Sequence, residues 1–115
     1  MKNTLQLTEL EKQMITLILH DYAKIGVENT EFHNTFGDDW EGDKKTLQVS
    51  NKELRGAFTS LKRKKIINHY NDPHCFNPIY PTAKLLEVCR ENGIEITDKA
   101  MNAMTKYNYL LGGEI

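Results

Sequence analysis

The chain has 115 residues and a net charge of −1, with 39% hydrophobic and 27% charged residues. This length is typical of one domain, and the composition lacks the high net charge and low hydrophobicity of disordered proteins. A large multi-domain enzyme and a collagen-like chain are excluded. Two cysteines, Cys75 and Cys89, are too few for a disulfide scaffold, and we expect both thiols to be reduced.

The sequence also gives an expectation about cellular location. Residues 1–8 carry one lysine and no apolar run, so they do not have the pattern of a signal peptide. No apolar stretch approaches the roughly 20 residues that a membrane-spanning helix needs. We therefore expect a cytoplasmic protein.

The nearly neutral total conceals two oppositely charged blocks. Residues 26–43 contain six acidic residues and no basic one, whereas residues 44–65 contain eight basic residues and one acidic residue. Because solvent screens each charge over about 10 Å, a local basic block can attract a polyanion even in a neutral protein.

The first predicted element is a helix over residues 8–25. Thr8 and Glu11 have the spacing of a capping box, and apolar residues then recur at helical intervals as far as Ile25, before Gly26. For residues 26–46 two interpretations remain open. Three aromatic residues four positions apart favour a short helix near 30–36, whereas glycines and acidic residues favour a loop held to the core by those rings.

A second capping box, Ser50 with Glu53, predicts an amphipathic helix over residues 51–65. Its apolar residues form one stripe, and the opposite face is basic and able to form hydrogen bonds. The predicted buried stripe consists of Leu54, Ala57, Phe58 and Leu61, and the predicted outer face of Lys52, Arg55, Thr59, Lys62 and Arg63.

The rest of the chain predicts a β-hairpin and two more helices. The hairpin has strands near 66–70 and 75–80, joined by a turn at 71–74 that contains an Asn-Asp-Pro sequence. A helix over 82–92 follows, with Thr82 as its cap and Gly93 as its stop. The last helix is predicted over 97–111.

This order of elements, and above all the segment from Ser50 to Ile67, resembles the winged helix-turn-helix domain of small bacterial and phage transcriptional regulators. The sharpest part is the Leu-Lys-Arg-Lys-Lys-Ile-Ile stretch at 61–67, which is similar to the end of a recognition helix and the first strand of a wing. Lys65 stands where that family usually has glycine. The family also has a short helix before the recognition helix, for which residues 38–49 carry no similar pattern.

The resemblance implies a mainly α fold with a small β-hairpin (α+β) that binds double-stranded DNA and regulates transcription, without catalysis, cofactor or metal. Arg55 and Thr59 are suited to reading bases in the major groove, and the lysines and Arg63 to contacting phosphates. Two residues of the predicted wing tip complete the set. The candidate DNA-binding residues are Asn51, Lys52, Arg55, Thr59, Lys62, Arg63, Asn71 and His74.

We therefore predict a winged-helix domain over 1–93, with an acidic insertion at 26–46, a recognition helix at 51–65 and a wing at 66–80. Residues 94–115 would add a C-terminal helix, which either forms a homodimer or packs on its own domain. The alternative function is a protein-interaction or inhibitor protein, such as a phage encodes, that uses the acidic segment and does not bind DNA.

Overall fold

The computed structural model describes residues 6–32, 50–69 and 77–106. Within these residues the protein is mainly helical, with one small antiparallel sheet, as the α+β prediction required. The predicted wing tip at 71–74, most of the acidic insertion and the end of the last helix lie outside the described residues. The elements are α1 (Glu9–Ile25), a 3-10 turn (Val27–Asn29), α2 (Asn51–Arg63), β1 (Ile67–Asn68), β2 (Tyr80–Pro81), α3 (Ala83–Glu91) and α4 (Asp98–Thr105).

Helix α1 begins with the predicted capping box. The Glu11 amide donates to Thr8 Oγ1 at 3.1 Å, and the Thr8 amide donates to Glu11 Oε1 at 2.9 Å. These two bonds satisfy amide groups that have no partner inside the helix. The buried stripe of α1 forms the centre of the core, but Ile25, predicted to belong to that stripe, is 38% exposed at the helix end.

The α-helices and the sheet of the described residues all contribute to one core. Helix α4 packs against α1 within the same chain, and its Ala100 and Met104 are fully buried. This packing accounts for the described half of the predicted C-terminal helix, while homodimer formation remains a prediction. In the described residues, no helix is long and apolar enough to cross a membrane.

Within the described residues, the sheet covers less of the chain than the predicted hairpin. β1 and β2 pair antiparallel, with Ile67 opposite Pro81 and Asn68 opposite Tyr80. Beside this pair, the linker after α1 makes an isolated antiparallel bridge, because the Ile79 amide donates to the Thr30 carbonyl at 2.8 Å. The Tyr22 hydroxyl donates to the Ile79 carbonyl at 2.6 Å, so both α1 and the linker hold the returning strand.

Helices α2 and α3 end in the same way. After α2, the Ile66 amide donates to the Leu61 carbonyl and the Lys65 amide to the Lys62 carbonyl, each at 3.0 Å. This pair of bonds is a Schellman motif, which requires a residue with positive φ after the cap. Lys65 adopts φ +65° there, and Gly93 adopts φ +71° at the equivalent position after α3.

Thr82 precedes α3 as predicted but does not cap it with its side chain. Its hydroxyl is shared instead between the carbonyls of Lys65 and Ile66, each 2.8 Å away. Thr82 is buried, so this contact gives its hydroxyl a partner and also satisfies two carbonyls that leave the helical pattern after α2. The start of α3 is thereby fixed to the end of α2.

Candidate nucleic-acid interface

Helix α2 has the two faces that its sequence predicts. The Ser50 capping box is formed, with the Glu53 amide donating to Ser50 Oγ at 3.1 Å and the Ser50 amide donating to Glu53 Oε1 at 3.0 Å. Leu54, Phe58 and Leu61 are buried, and Ala57 is half-buried. The stripe therefore fixes the rotation of α2, and with it the direction of the remaining side chains.

The outward face of α2 is basic. Lys52, Arg55, Thr59 and Arg63 are exposed, and Lys62 is half-buried. Within the described part of the chain, none of these cations takes part in a salt bridge. Five of the eight predicted site residues thus lie on one helix face. Asn51 is the first residue of α2, whereas Asn71 and His74 lie outside the described residues.

Two of these cations rest on aromatic rings. The Arg55 guanidinium carbon lies 5.6 Å from the centre of the Phe32 ring, and Lys62 Nζ lies 6.0 Å from the centre of the Phe58 ring. Attraction to the face of a ring holds a cation in place while its outer side remains available to solvent or a ligand. Arg55 and Lys62 are therefore more restricted than cations on a bare helix.

The rings beneath these cations form a connected group. Phe32 and Phe58 make an edge-to-face contact with centres 4.8 Å apart, and Phe58 makes another with His69 at 5.1 Å. Burial, the positive charge of Lys62 and a hydrogen bond to the Asn77 backbone act on His69. Burial and Lys62 outweigh the hydrogen bond, so the pKa of His69 lies below its usual value. The imidazole is therefore neutral near pH 7.

A cavity of about 300 Å³ opens above this group of rings. Phe32, Phe58 and His69 line one part, and Arg55, Thr59 and Lys62 of α2 line another. Glu31, in the bridged linker, also lines the cavity. The cavity thus combines aromatic surface, two cations, a hydroxyl and one carboxylate.

The neighbouring Lys64 has a different role. Its ammonium group lies 3.0 Å from Glu11 Oε1 and 3.1 Å from Oε2, and Ser60 Oγ donates to Oε2 at 2.7 Å. Burial opposes ionisation of Glu11, but the bonds from Ser60, the Thr8 amide and Lys64 outweigh it, so the pKa of Glu11 is lowered. Lys64 and Ser60 therefore join α2 to α1 rather than face a ligand.

Two further groups bear on possible chemistry. Burial raises the pKa of the Cys89 thiol to about 12, and this cysteine is free, as expected. Such a thiol is not a nucleophile at neutral pH. Among the residues that the structure describes, no group of three or more His, Cys, Asp or Glu side chains is arranged to hold a metal ion.

Sequence reasoning missed Glu31, Phe32 and His69 as parts of the site. Glu31 and Phe32 belong to a linker that lacks strand periodicity, and only its bridge to the strand near Ile79 brings them beside α2. The aromatic spacing in residues 30–46 was the available signal, since it marked Phe32 as a ring that packs on the core.

Comparison with known proteins identified no related protein. No protein-family model matches the sequence, and neither the curated proteins nor the solved structures contain a significant match.

Proposed function

We propose that this protein is a winged helix-turn-helix regulator of transcription that binds double-stranded DNA. Helix α2 would enter the major groove, and the β1–β2 ribbon would support the wing. The observation that carries this proposal is the outward face of α2, which presents four cations, three exposed and one half-buried, that lack a salt-bridge partner among the described residues. An α-helix fits the major groove, and such cations suit phosphates and base edges.

The order and packing of the elements support the same proposal. An antiparallel ribbon follows α2 directly, and the bridge between the linker and the returning strand holds that ribbon beside the helix. The Schellman turn at Lys65 and the Thr82 hydroxyl fix the direction in which the chain leaves α2. A helix and a ribbon held in this relation can contact one duplex together.

Individual roles follow from position on the helix. Arg55 and Thr59 lie one turn apart on the exposed face, and Arg55 is placed by its contact with Phe32. A bidentate arginine–guanine contact contributes about 1–3 kcal/mol of discrimination between bases. Lys52, Lys62 and Arg63 would contact phosphates, which contributes affinity without sequence preference.

A salt series with random duplex DNA tests this proposal. We expect log K to fall linearly with log salt, and Arg63→Ala to reduce that slope by about one unit. Arg90→Ala is the matched control, because Arg90 is also an exposed arginine in the last turn of a helix. Its slope should equal that of the wild type.

Two results would overturn the DNA-binding proposal. One is the absence of binding at about 50 mM salt, where even non-specific attraction is strong. The other is an equal effect of Arg63→Ala and Arg90→Ala, which would show a diffuse attraction rather than a contact by α2. Either result would favour the alternative of a protein partner bound through the acidic segment.

A further inference from the structure

We propose that the cavity above Phe32 and Phe58 binds a nucleotide unit, with the base against the aromatic rings and the phosphate between Arg55 and Lys62. The volume of about 300 Å³ lies at the lower end of the range for small-molecule sites, roughly 300–1,000 Å³. The shared chemistry is a phosphate joined to a flat heterocycle. It can come from a free mononucleotide or from an unpaired nucleotide of a single strand.

The cations and the hydroxyl indicate the phosphate. Arg55, Thr59 and Lys62 lie at intervals of four and three residues on α2, so all three side chains leave the helix on the same side. Both cations lie within 6.0 Å of ring centres that are themselves 4.8 Å apart. A group with several anionic oxygens can satisfy both cations and accept a bond from Thr59.

The rings indicate a flat, apolar part of the ligand. Phe58 is nearly buried and supplies the floor, whereas Phe32 and His69 are half-buried beside it. Aromatic side chains hold bases by stacking or by edge contacts, and such a contact contributes about 1–3 kcal/mol per base. Because His69 is neutral near pH 7, it extends this surface without adding a third charge.

Glu31 distinguishes a nucleotide from a simple organic anion. A carboxylate in the cavity wall would repel an inorganic or carboxylic anion, whereas it can accept hydrogen bonds from the amino or imino groups of a base. A ligand that carries a phosphate at one end and N–H donors at the other uses every charge in the cavity.

Binding here would also oppose the binding of duplex DNA. Arg55 and Lys62 belong to both the cavity and the outward face of α2, so an occupied cavity would neutralise two of the cations offered to DNA. This competition rests on the proposed function, whereas the binding of the nucleotide does not.

Calorimetric titration of the full chain with the four deoxynucleoside monophosphates tests the site. We expect Lys62→Ala to weaken binding by about tenfold or more. Lys52→Ala is the matched control, since it removes an exposed lysine of the same helix that does not line the cavity, and it should leave nucleotide affinity unchanged. The absence of binding at about 5 mM of every nucleotide, or equal losses in the two variants, would overturn the inference.

Glu31→Gln provides a second test, because it should change the affinities for a nucleotide and for inorganic phosphate in opposite directions. We expect it to weaken nucleotide binding, because a hydrogen bond from the base to a charged acceptor becomes a weaker bond to a neutral amide oxygen, and to strengthen the binding of inorganic phosphate, because a repulsion is removed. A change in the same direction for both ligands would refute the placement of the base at Glu31.

Two further measurements are needed. One distinguishes a free nucleotide from a single strand as the ligand, and the other distinguishes failure of the nucleotide site from failure of the proposed DNA binding. The first measurement compares the affinities of single-stranded oligonucleotides and mononucleotides. If oligonucleotides bind more than about tenfold tighter, and Lys62→Ala weakens both to the same extent, the natural ligand is a single strand. If the two affinities are equal, the natural ligand is a free nucleotide. Duplex binding is measured on the same variants. If the wild type binds duplex DNA but no nucleotide, the cavity assignment is overturned; if it binds nucleotides but no duplex DNA, the proposed function is overturned.

Discussion

Replacing Lys65 by glycine should give a more stable protein than replacing it by alanine. Lys65 is exposed and adopts φ +65°, a conformation that the Schellman motif at the end of α2 requires. For a residue with a Cβ atom, the left-handed region costs roughly 1–2 kcal/mol. Glycine avoids that cost but loses roughly 0.5–1 kcal/mol more than alanine in backbone entropy on folding. The difference predicts that the free energy of unfolding is about 0.5–1 kcal/mol higher for Lys65→Gly than for Lys65→Ala, which keeps a Cβ atom at this position.

The loss of the lysine charge has to be separated from the backbone effect. A cation near a helix C-terminus stabilises the helix by about 0.3–1 kcal/mol, and both Lys65→Gly and Lys65→Ala remove that charge. Lys65→Ala retains the Cβ atom, so the difference between the two variants isolates the conformational cost. We expect Lys65→Ala to be as stable as the wild type or slightly less stable.

Gly93 supplies the reverse experiment in the same protein. It adopts φ +71° after α3, and a Cβ atom placed there would meet no other atom within 4 Å. Gly93→Ala should therefore lower the free energy of unfolding by about 0.5–1 kcal/mol, which is the backbone strain less the entropy that glycine loses on folding. Steric overlap does not contribute at this position.

Urea unfolding followed by far-UV circular dichroism measures all three variants. Equal m-values would show that the change lies in stability rather than in the surface exposed on unfolding. A gain of about 0.5–1 kcal/mol corresponds to a rise of about 2–5 °C in Tm for a domain of this size. If Lys65→Gly is no more stable than Lys65→Ala, the conformational explanation is refuted.

Two further predictions concern buried titratable groups. The pKa of Glu11 is lowered from its ordinary 4.5, so its contribution to stability is present above that pH and is lost as pH falls through the folded value. Urea unfolding should show Glu11→Gln less stable by about 1–3 kcal/mol at pH 7 and closer to wild type at acidic pH; a pH-independent difference would contradict this. The Cys89 thiol, with its pKa raised to about 12, should react with a disulfide reagent at pH 8 only through unfolding. Cys75→Ser removes the other thiol, so that only Cys89 reacts. If the rate of its reaction with the reagent does not rise with urea concentration, burial in the folded state does not protect Cys89.

Features that depend on neighbours in sequence were predictable. Both capping boxes form as predicted, because their two residues are three positions apart and the bonds close within one helical turn. The buried stripe and basic face of α2 also follow from local spacing, since the rise and twist of a helix fix which side chains share a face. The sequence also predicted that two antiparallel strands follow α2, although their described pairing covers only two residues in each strand.

Side chains that depend on distant partners were not predictable. Lys64 and Arg63 are adjacent in the basic run, yet Lys64 binds Glu11, 53 residues away in sequence, while Arg63 is exposed. Glu11 was predicted as a cap, but its second role required Ser60 and Lys64 to pack beside α1. The residues within one helical turn of Glu11, or of Lys64, do not specify the contact between them.

The sequence by itself determined where the helices begin, which face of α2 is buried and that its outer face is basic, because these follow from bonds and spacings within a few residues. Only the tertiary structure decided which cations remain free of salt bridges in the described part of the chain, and that Glu31 and Phe32 lie beside Arg55. The bridge from the linker to the strand near Ile79 forms across almost 50 residues. Its formation depends on packing of the whole core, which brings the linker and α2 together in the lining of one cavity.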